Sequence, residues 1–85
     1  MKFKKEAQED LDYFNQHNKK KVIKIFELIE DIQSNPFRGK GKPEPLKHQW
    51  QGCWSRRIDD KGNRLIYKVE SDVIIIVSCR FHYKK

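Results

Sequence analysis

No apolar run in this 85-residue sequence approaches the roughly 20 residues that a membrane-crossing helix needs. Met1-Lys2-Phe3-Lys4-Lys5 leads into acidic residues, not into the apolar region of a signal peptide, so a cytoplasmic protein is expected. Cysteine is equally scarce. Cys53 and Cys79 lack CxxC spacing and read as small buried hydrophobes, so neither a disulfide framework nor a structural metal is expected, and no cofactor is implied. Apolar residues reach only 36%, matched by 36% charged, a balance that suggests disorder when the apolar residues are scattered. Here they cluster in residues 22–32, 65–69 and 73–81, which predicts one folded domain spanning residues 1–85. A chain this short buries roughly 60–65% of its unfolded surface, so its core is thin.

Charge of one sign is what the sequence has in excess. Residues 1–33 hold seven Lys and seven Asp+Glu, whereas residues 34–85 hold twelve Lys+Arg and five acids, so the whole net charge of +7 belongs to the second part. Such a one-sided field is the footprint of a polyanionic partner, although a solubilising surface accounts for it too, and charge alone does not choose between RNA, DNA and an acidic protein.

In residues 6–16, Ala7, Leu11 and Phe14 recur at helical spacing among Glu6, Glu9, Asp10 and Asp12, predicting a short amphipathic helix. Asn18 is placed to cap a second helix with an apolar stripe of Val22, Ile25, Phe26, Leu28, Ile29 and Ile32, ended by Ser34-Asn35-Pro36. Residues 36–45 contain all three prolines and two of the four glycines and read as a loop. Pro43 and Pro45 restrict Glu44 to an extended conformation, with Arg38, Lys40, Lys42 and Lys47 around it. Strands are expected over 53–58, 64–69 and 73–82, forming an antiparallel meander. A three-residue turn at 70–72 would set Val69 against Val73, Tyr67 against Ile75 and Leu65 against Val77. In that register Arg64, Arg80 and His82 share the opposite face; a two-residue turn separates Arg64 from His82.

RNA is cleaved without metal when a base removes the 2′-hydroxyl proton, a cation stabilises the phosphorane and an acid protonates the departing 5′-oxygen. Glu44, Arg64 and His82 supply these chemistries. The arginine fork binds two phosphate oxygens and keeps its charge, His titrates near neutrality, and Tyr83 can stack on a base or steady the phosphate. Each also has a plainer reading: a surface ion pair worth ~0–1 kcal/mol for Glu44, and solvated side chains for Arg64 and His82. Two rivals to an endoribonuclease follow. One is a non-catalytic basic RNA- or ribosome-binding module. The other is a DNA-binding repressor, disfavoured because two helices before a sheet offer no evident recognition helix.

Asn35-Pro36-Phe37, Gly39-Lys40-Gly41-Lys42-Pro43-Glu44-Pro45-Leu46-Lys47-His48, Trp54-Ser55-Arg56-Arg57-Ile58, Arg64-Leu65-Ile66-Tyr67 and Cys79-Arg80-Phe81-His82-Tyr83 together resemble the YoeB/Txe toxins of the RelE superfamily. The resemblance implies an α+β, RelE-like fold with two N-terminal helices packed on a small, mainly antiparallel twisted sheet. It implies an endoribonuclease that cleaves mRNA in the ribosomal A site, with general base Glu44, phosphate-binding Arg64, general acid His82 and supporting Tyr83. Lys47 and Arg57 fall near the scissile phosphate, and Arg56, Lys40, Lys42 and Arg80 extend the basic surface expected to contact RNA. Its implied partners are a YefM/Axe-like antitoxin, the ribosome and mRNA, a second copy in a homodimer, and operator DNA only as the toxin–antitoxin complex. The sequence departs from the family where Asn63 precedes Arg64 in place of a common His, in a turn one residue longer. Lysines in residues 1–5 also replace more apolar residues of the opening strand, which predicts weaker pairing there.

Overall fold

The chain order is β1 (Lys2–Phe3), α1 (Lys5–His17), α2 (Lys19–Ser34), β2 (Glu44–Pro45), β3 (Trp54–Arg57), β4 (Arg64–Glu70) and β5 (Val73–Phe81), with a 3-10 turn at His48–Trp50. The structure is a computed structural model and describes residues 1–81. The strands form one sheet in the order β1-β5-β4-β3-β2, antiparallel except where β1 runs parallel to β5. Both helices lie on one face of it, the expected α+β arrangement. The lysine-rich opening strand does pair, Lys2 with Ile75 and Phe3 with Ile76, and the Lys4 amide extends the contact to the Ile76 carbonyl at 2.9 Å.

Ala7 and Phe14 of α1 and Ile25, Leu28, Ile29 and Ile32 of α2 pack on Leu65, Tyr67, Ile74, Ile76 and Cys79. Burying each large aliphatic contributes about 1.5–3 kcal/mol, so in so thin a core single losses count. Phe26, assigned above to the apolar stripe, is 45% exposed; it stands about 100° around the helix from Ile25, beyond the arc that reaches the sheet. Asn18 does separate the helices, but through its backbone: its amide donates to the Phe14 carbonyl at 2.7 Å, its carbonyl accepts from the Lys21 amide at 3.0 Å, and its side chain makes no capping bond. Cys79 is buried as expected, and burial, followed by the Asp10 charge, pushes its thiol up to about 12; Cys53 is only half-buried.

The β4–β5 register differs from the expected one. Glu70 pairs with Val73, Val69 with Ile74 and Tyr67 with Ile76, so the turn is the two residues Ser71-Asp72, at φ 47° and 65°. Two consecutive left-handed residues make a turn whose twist matches that of the strands it joins. Ile74 and Ile76, not Val73, Ile75 and Val77, therefore face the helices. Further along, the register shifts on either side of Ile66, so that Ile66 pairs with Ser78 and Arg64 with Phe81. Such irregularities take amides out of the ladder. Asp10 of α1 receives two donors there, Ser78 Oγ and the Cys79 amide, both at 3.0 Å.

Candidate active site

Directly opposed residues of an antiparallel ladder point to the same side of the sheet. The pairs Glu44 with Ser55, Ser55 with Ile66 and Arg57 with Arg64 therefore place Glu44, Ser55, Arg57 and Arg64 together on the face away from the helices. The stretch read as loop thus contains a short edge strand, and Pro45 is tolerated in it because an edge strand need not donate on both sides. Arg64 Nη1 lies 3.7 Å from Glu44 Oε2 and 3.5 Å from Ser55 Oγ. The Glu44 side chain is 60% exposed and that of Arg64 only 17%, so the carboxylate is accessible while the guanidinium is held against the sheet. Arg57, exposed beside it, lines with Arg64, Asn63, Gly62, Asp60 and Asp59 a depression of about 170 Å³. The cluster can offer an acceptor, a forked cation and a second cation to a phosphodiester laid across β2–β4.

The turn before Arg64 is firmly tied. Asp59 Oδ1 accepts from the amides of Lys61 at 2.8 Å and Asn63 at 3.1 Å, while Oδ2 accepts from Asn63 Nδ2 at 2.6 Å and meets Lys21 Nζ at 2.9 Å. Asn63 thus anchors the turn that aims Arg64. Partial burial pushes the Asp59 carboxyl up, but Lys21, the Asn63 side chain and the two amides outweigh it and hold the group well below the usual range. A carboxyl depressed in the folded state adds stability that is present above its unfolded value near 4 and is lost as pH falls toward the folded value. Asp59→Asn should therefore cost about 1–3 kcal/mol at pH 7 in urea titrations, with the gap to wild type narrowing below about pH 4. A gap undiminished at pH 2 would contradict this.

Arg56 requires a correction. Its parity places it opposite Leu65 on the helix face, where it is 0% exposed, so it is unavailable to RNA. Its Nη1 donates to Asp31 Oδ2 and to the Lys40 carbonyl at 3.1 Å, Nη2 to the carbonyls of Asn35 and Arg38, and Nε to Tyr67 Oη at 3.2 Å. Arg56 chiefly, with the Lys40 amide, holds the Asp31 carboxyl below its ordinary value, and burial raises the Tyr67 phenol against the opposing bond from Arg56. Arg80 is also placed differently from expectation. With Phe81 opposite Arg64, Arg80 has the other parity, and its guanidinium lies 3.5 Å from the centre of the Tyr13 ring on α1. Lys40, Lys42 and Lys47 are exposed along the segment that carries Glu44. His82 and Tyr83 lie outside the described residues, and with them the face expected to be shared by Arg64 and His82; the three-residue turn on which that expectation stood is replaced by two residues, with two register shifts between the turn and Arg64. Ser55, Asp31 and Tyr67 carried no signal in the sequence, because each acts through a partner distant along the chain, whereas Asp59 is tied to Lys61 and Asn63 within its own turn as well as to Lys21. Among the described residues no helix is long and apolar enough to cross a membrane, and no group of three or more His, Cys, Asp or Glu is arranged to hold a metal ion.

Residues 3–83 match the family model described as a YoeB-like toxin of bacterial type II toxin-antitoxin system. The chain is 50% identical to Toxin YoeB of Escherichia coli K12 over 78 residues, 92% of each chain. Its fold is similar to that of the YoeB/ParE toxin from Agrobacterium tumefaciens, with a TM-score of 0.90, 36% identity and coverage of 98% of this chain and 100% of that one. It is also similar to the Staphylococcus aureus YoeB, known as a heterotetrameric complex with YefM and as a dimer, at a TM-score of 0.88, 46% identity and coverage of 96% of this chain and 94% of that one. A match over nearly the whole length, in sequence and in fold, places this chain in the YoeB-like toxins of bacterial type II toxin-antitoxin systems.

Proposed function

We propose that this toxin is a ribosome-dependent endoribonuclease that cleaves mRNA in the A site by acid–base chemistry needing no metal. The observation that carries the reading is the juxtaposition of Glu44 and Arg64 across β2–β4, with Arg57 beside them on the open face. Glu44 takes the 2′-hydroxyl proton, the 2′-oxygen attacks the adjacent phosphorus, and the Arg64 fork neutralises the phosphorane oxygens. His82 protonates the leaving 5′-oxygen, with Tyr83 supporting the phosphate. The balance of that step leaves a 2′,3′-cyclic phosphate on one fragment and a 5′-hydroxyl on the other. Ser55 keeps the guanidinium in register, and Lys40, Lys42, Lys47 and Arg57 hold the RNA backbone. The setting is cytoplasmic, a YefM-like antitoxin is the inhibitor, the toxin pairs with a second copy, and it meets operator DNA only within the toxin–antitoxin complex.

Translation-coupled cleavage with mapped RNA ends tests this reading. Arg64→Ala should slow cutting by about 10²–10³-fold, because a donor aimed at developing charge is lost. Cutting should persist in EDTA on ribosomes kept intact. Ends bearing a 3′-hydroxyl, or mRNA that is bound and never cut by the wild type, would sink the reading; the latter would leave a basic ribosome-binding module.

A further inference from the structure

We infer that Asp31, Arg56 and Tyr67 form a clamp whose task is to position Glu44, an inference that rests on Glu44 being the base. Glu44 follows a segment rich in Gly, Pro and Lys, a composition that ordinarily gives a mobile surface loop. This one is suspended from the buried Arg56 and Tyr67 and the partly buried Asp31. Arg56 takes the carbonyls of Asn35, Arg38 and Lys40, Tyr67 Oη donates to the Pro36 carbonyl, and Asp31 accepts from the Lys40 amide at 3.0 Å. The Gly41 carbonyl then accepts from the Arg57 amide at 2.7 Å, and the Leu46 amide donates to Cys53 at 2.9 Å. Only Lys42, Pro43, Glu44 and Pro45 span the interval, and two of those are prolines. The carboxylate's place is thereby set from both ends.

Two further observations favour positioning over simple cohesion. The loop approaches so closely that a Cβ on Gly39 would run into the Asp31 carboxylate, and one on Gly41, at φ 77°, would meet the Arg57 carbonyl and Leu28 Cδ2 at 3.0 Å each. Burying a guanidinium is also costly, and well-packed apolar residues usually serve stability as well. What the arginine supplies that an apolar residue cannot is a fixed set of backbone carbonyls just ahead of the base. A general base must sit within about 0.5 Å of its productive place.

The test is a double-mutant cycle in the full chain, reading single-turnover cleavage of ribosome-bound mRNA, with melting curves confirming that each variant is folded at the assay temperature. Tyr67→Phe and Asp31→Asn should each lower the maximal rate about 10- to 100-fold, as small misplacements of reacting groups do. Half-saturation should move less than about threefold. In a Glu44→Ala background neither should cost anything further, since the clamp acts through Glu44. Folded variants at wild-type rate, or the same loss with and without Glu44, would overturn the clamp alone. A Glu44→Ala protein as fast as wild type would instead overturn the base assignment and the clamp with it. If Asp31→Asn does not fold, Tyr67→Phe, which removes one hydroxyl, decides the matter.

Discussion

Glu44→Ala should reduce cleavage of ribosome-bound mRNA by about 10²–10⁴-fold, the range over which a positioned general base acts. The carboxylate has the two properties this role needs. It is accessible, with its side chain 60% exposed, and its backbone is fixed by pairing with Ser55 between two prolines. Binding should change little, because the exposed Lys40, Lys42, Lys47 and Arg57 remain. Mapped-end cleavage and ribosome co-sedimentation separate the two quantities. A loss of co-sedimentation matching the loss of rate would mean that Glu44 binds rather than reacts. The Glu44–Arg64 ion pair itself should add little to stability, since exposed pairs at such distances contribute ~0–1 kcal/mol.

Arg56→Met should destabilise the fold by about 3–5 kcal/mol, the usual result of removing one member of a buried charged network. The side chain is 0% exposed, and its loss leaves the carbonyls of Asn35, Arg38 and Lys40 without its donors, removes the donor to Tyr67 Oη, and leaves the Asp31 carboxylate with only the Lys40 amide of these partners. In a domain of this size that corresponds to a melting midpoint lower by roughly 15 °C or more. Arg57→Met, one residue along, should shift the midpoint by no more than about 0.5 kcal/mol equivalent, as exposed substitutions do. Calorimetry of the two variants side by side settles it: equal shifts would mean that the buried network of Arg56 is not what sets it apart from Arg57.

These adjacent arginines mark the boundary of what can be read from sequence. In Trp54-Ser55-Arg56-Arg57 nothing local distinguishes one from the other, and both looked like RNA contacts. Pairing with β4 set Arg57 opposite Arg64 and Arg56 opposite Leu65, so one faces outward and the other lies under α2. The run Val73-Ile74-Ile75-Ile76-Val77 posed the same difficulty, being apolar at every position and so indifferent to parity. There the Ser71-Asp72 turn decided, and its left-handed residues are neither Gly nor Asn, the usual signal for it. Phe26 was misassigned because a stripe's edge is set by what packs against it.

The helices, the strand segments, the extended Glu44 and the basic second half follow from local causes: apolar period, proline geometry and charge count. Family membership was legible for the same reason, since its motifs are contiguous runs of residues. The tertiary structure alone decided which residues face each other. The meeting of Glu44 with Arg64, the ion pair of Lys21 with Asp59, and the burial of Arg56 beneath the loop it fixes all depend on register and packing between segments distant in the chain. Register is a cooperative outcome of turn type, ladder irregularities and the packing of the whole sheet, and no single segment contains it.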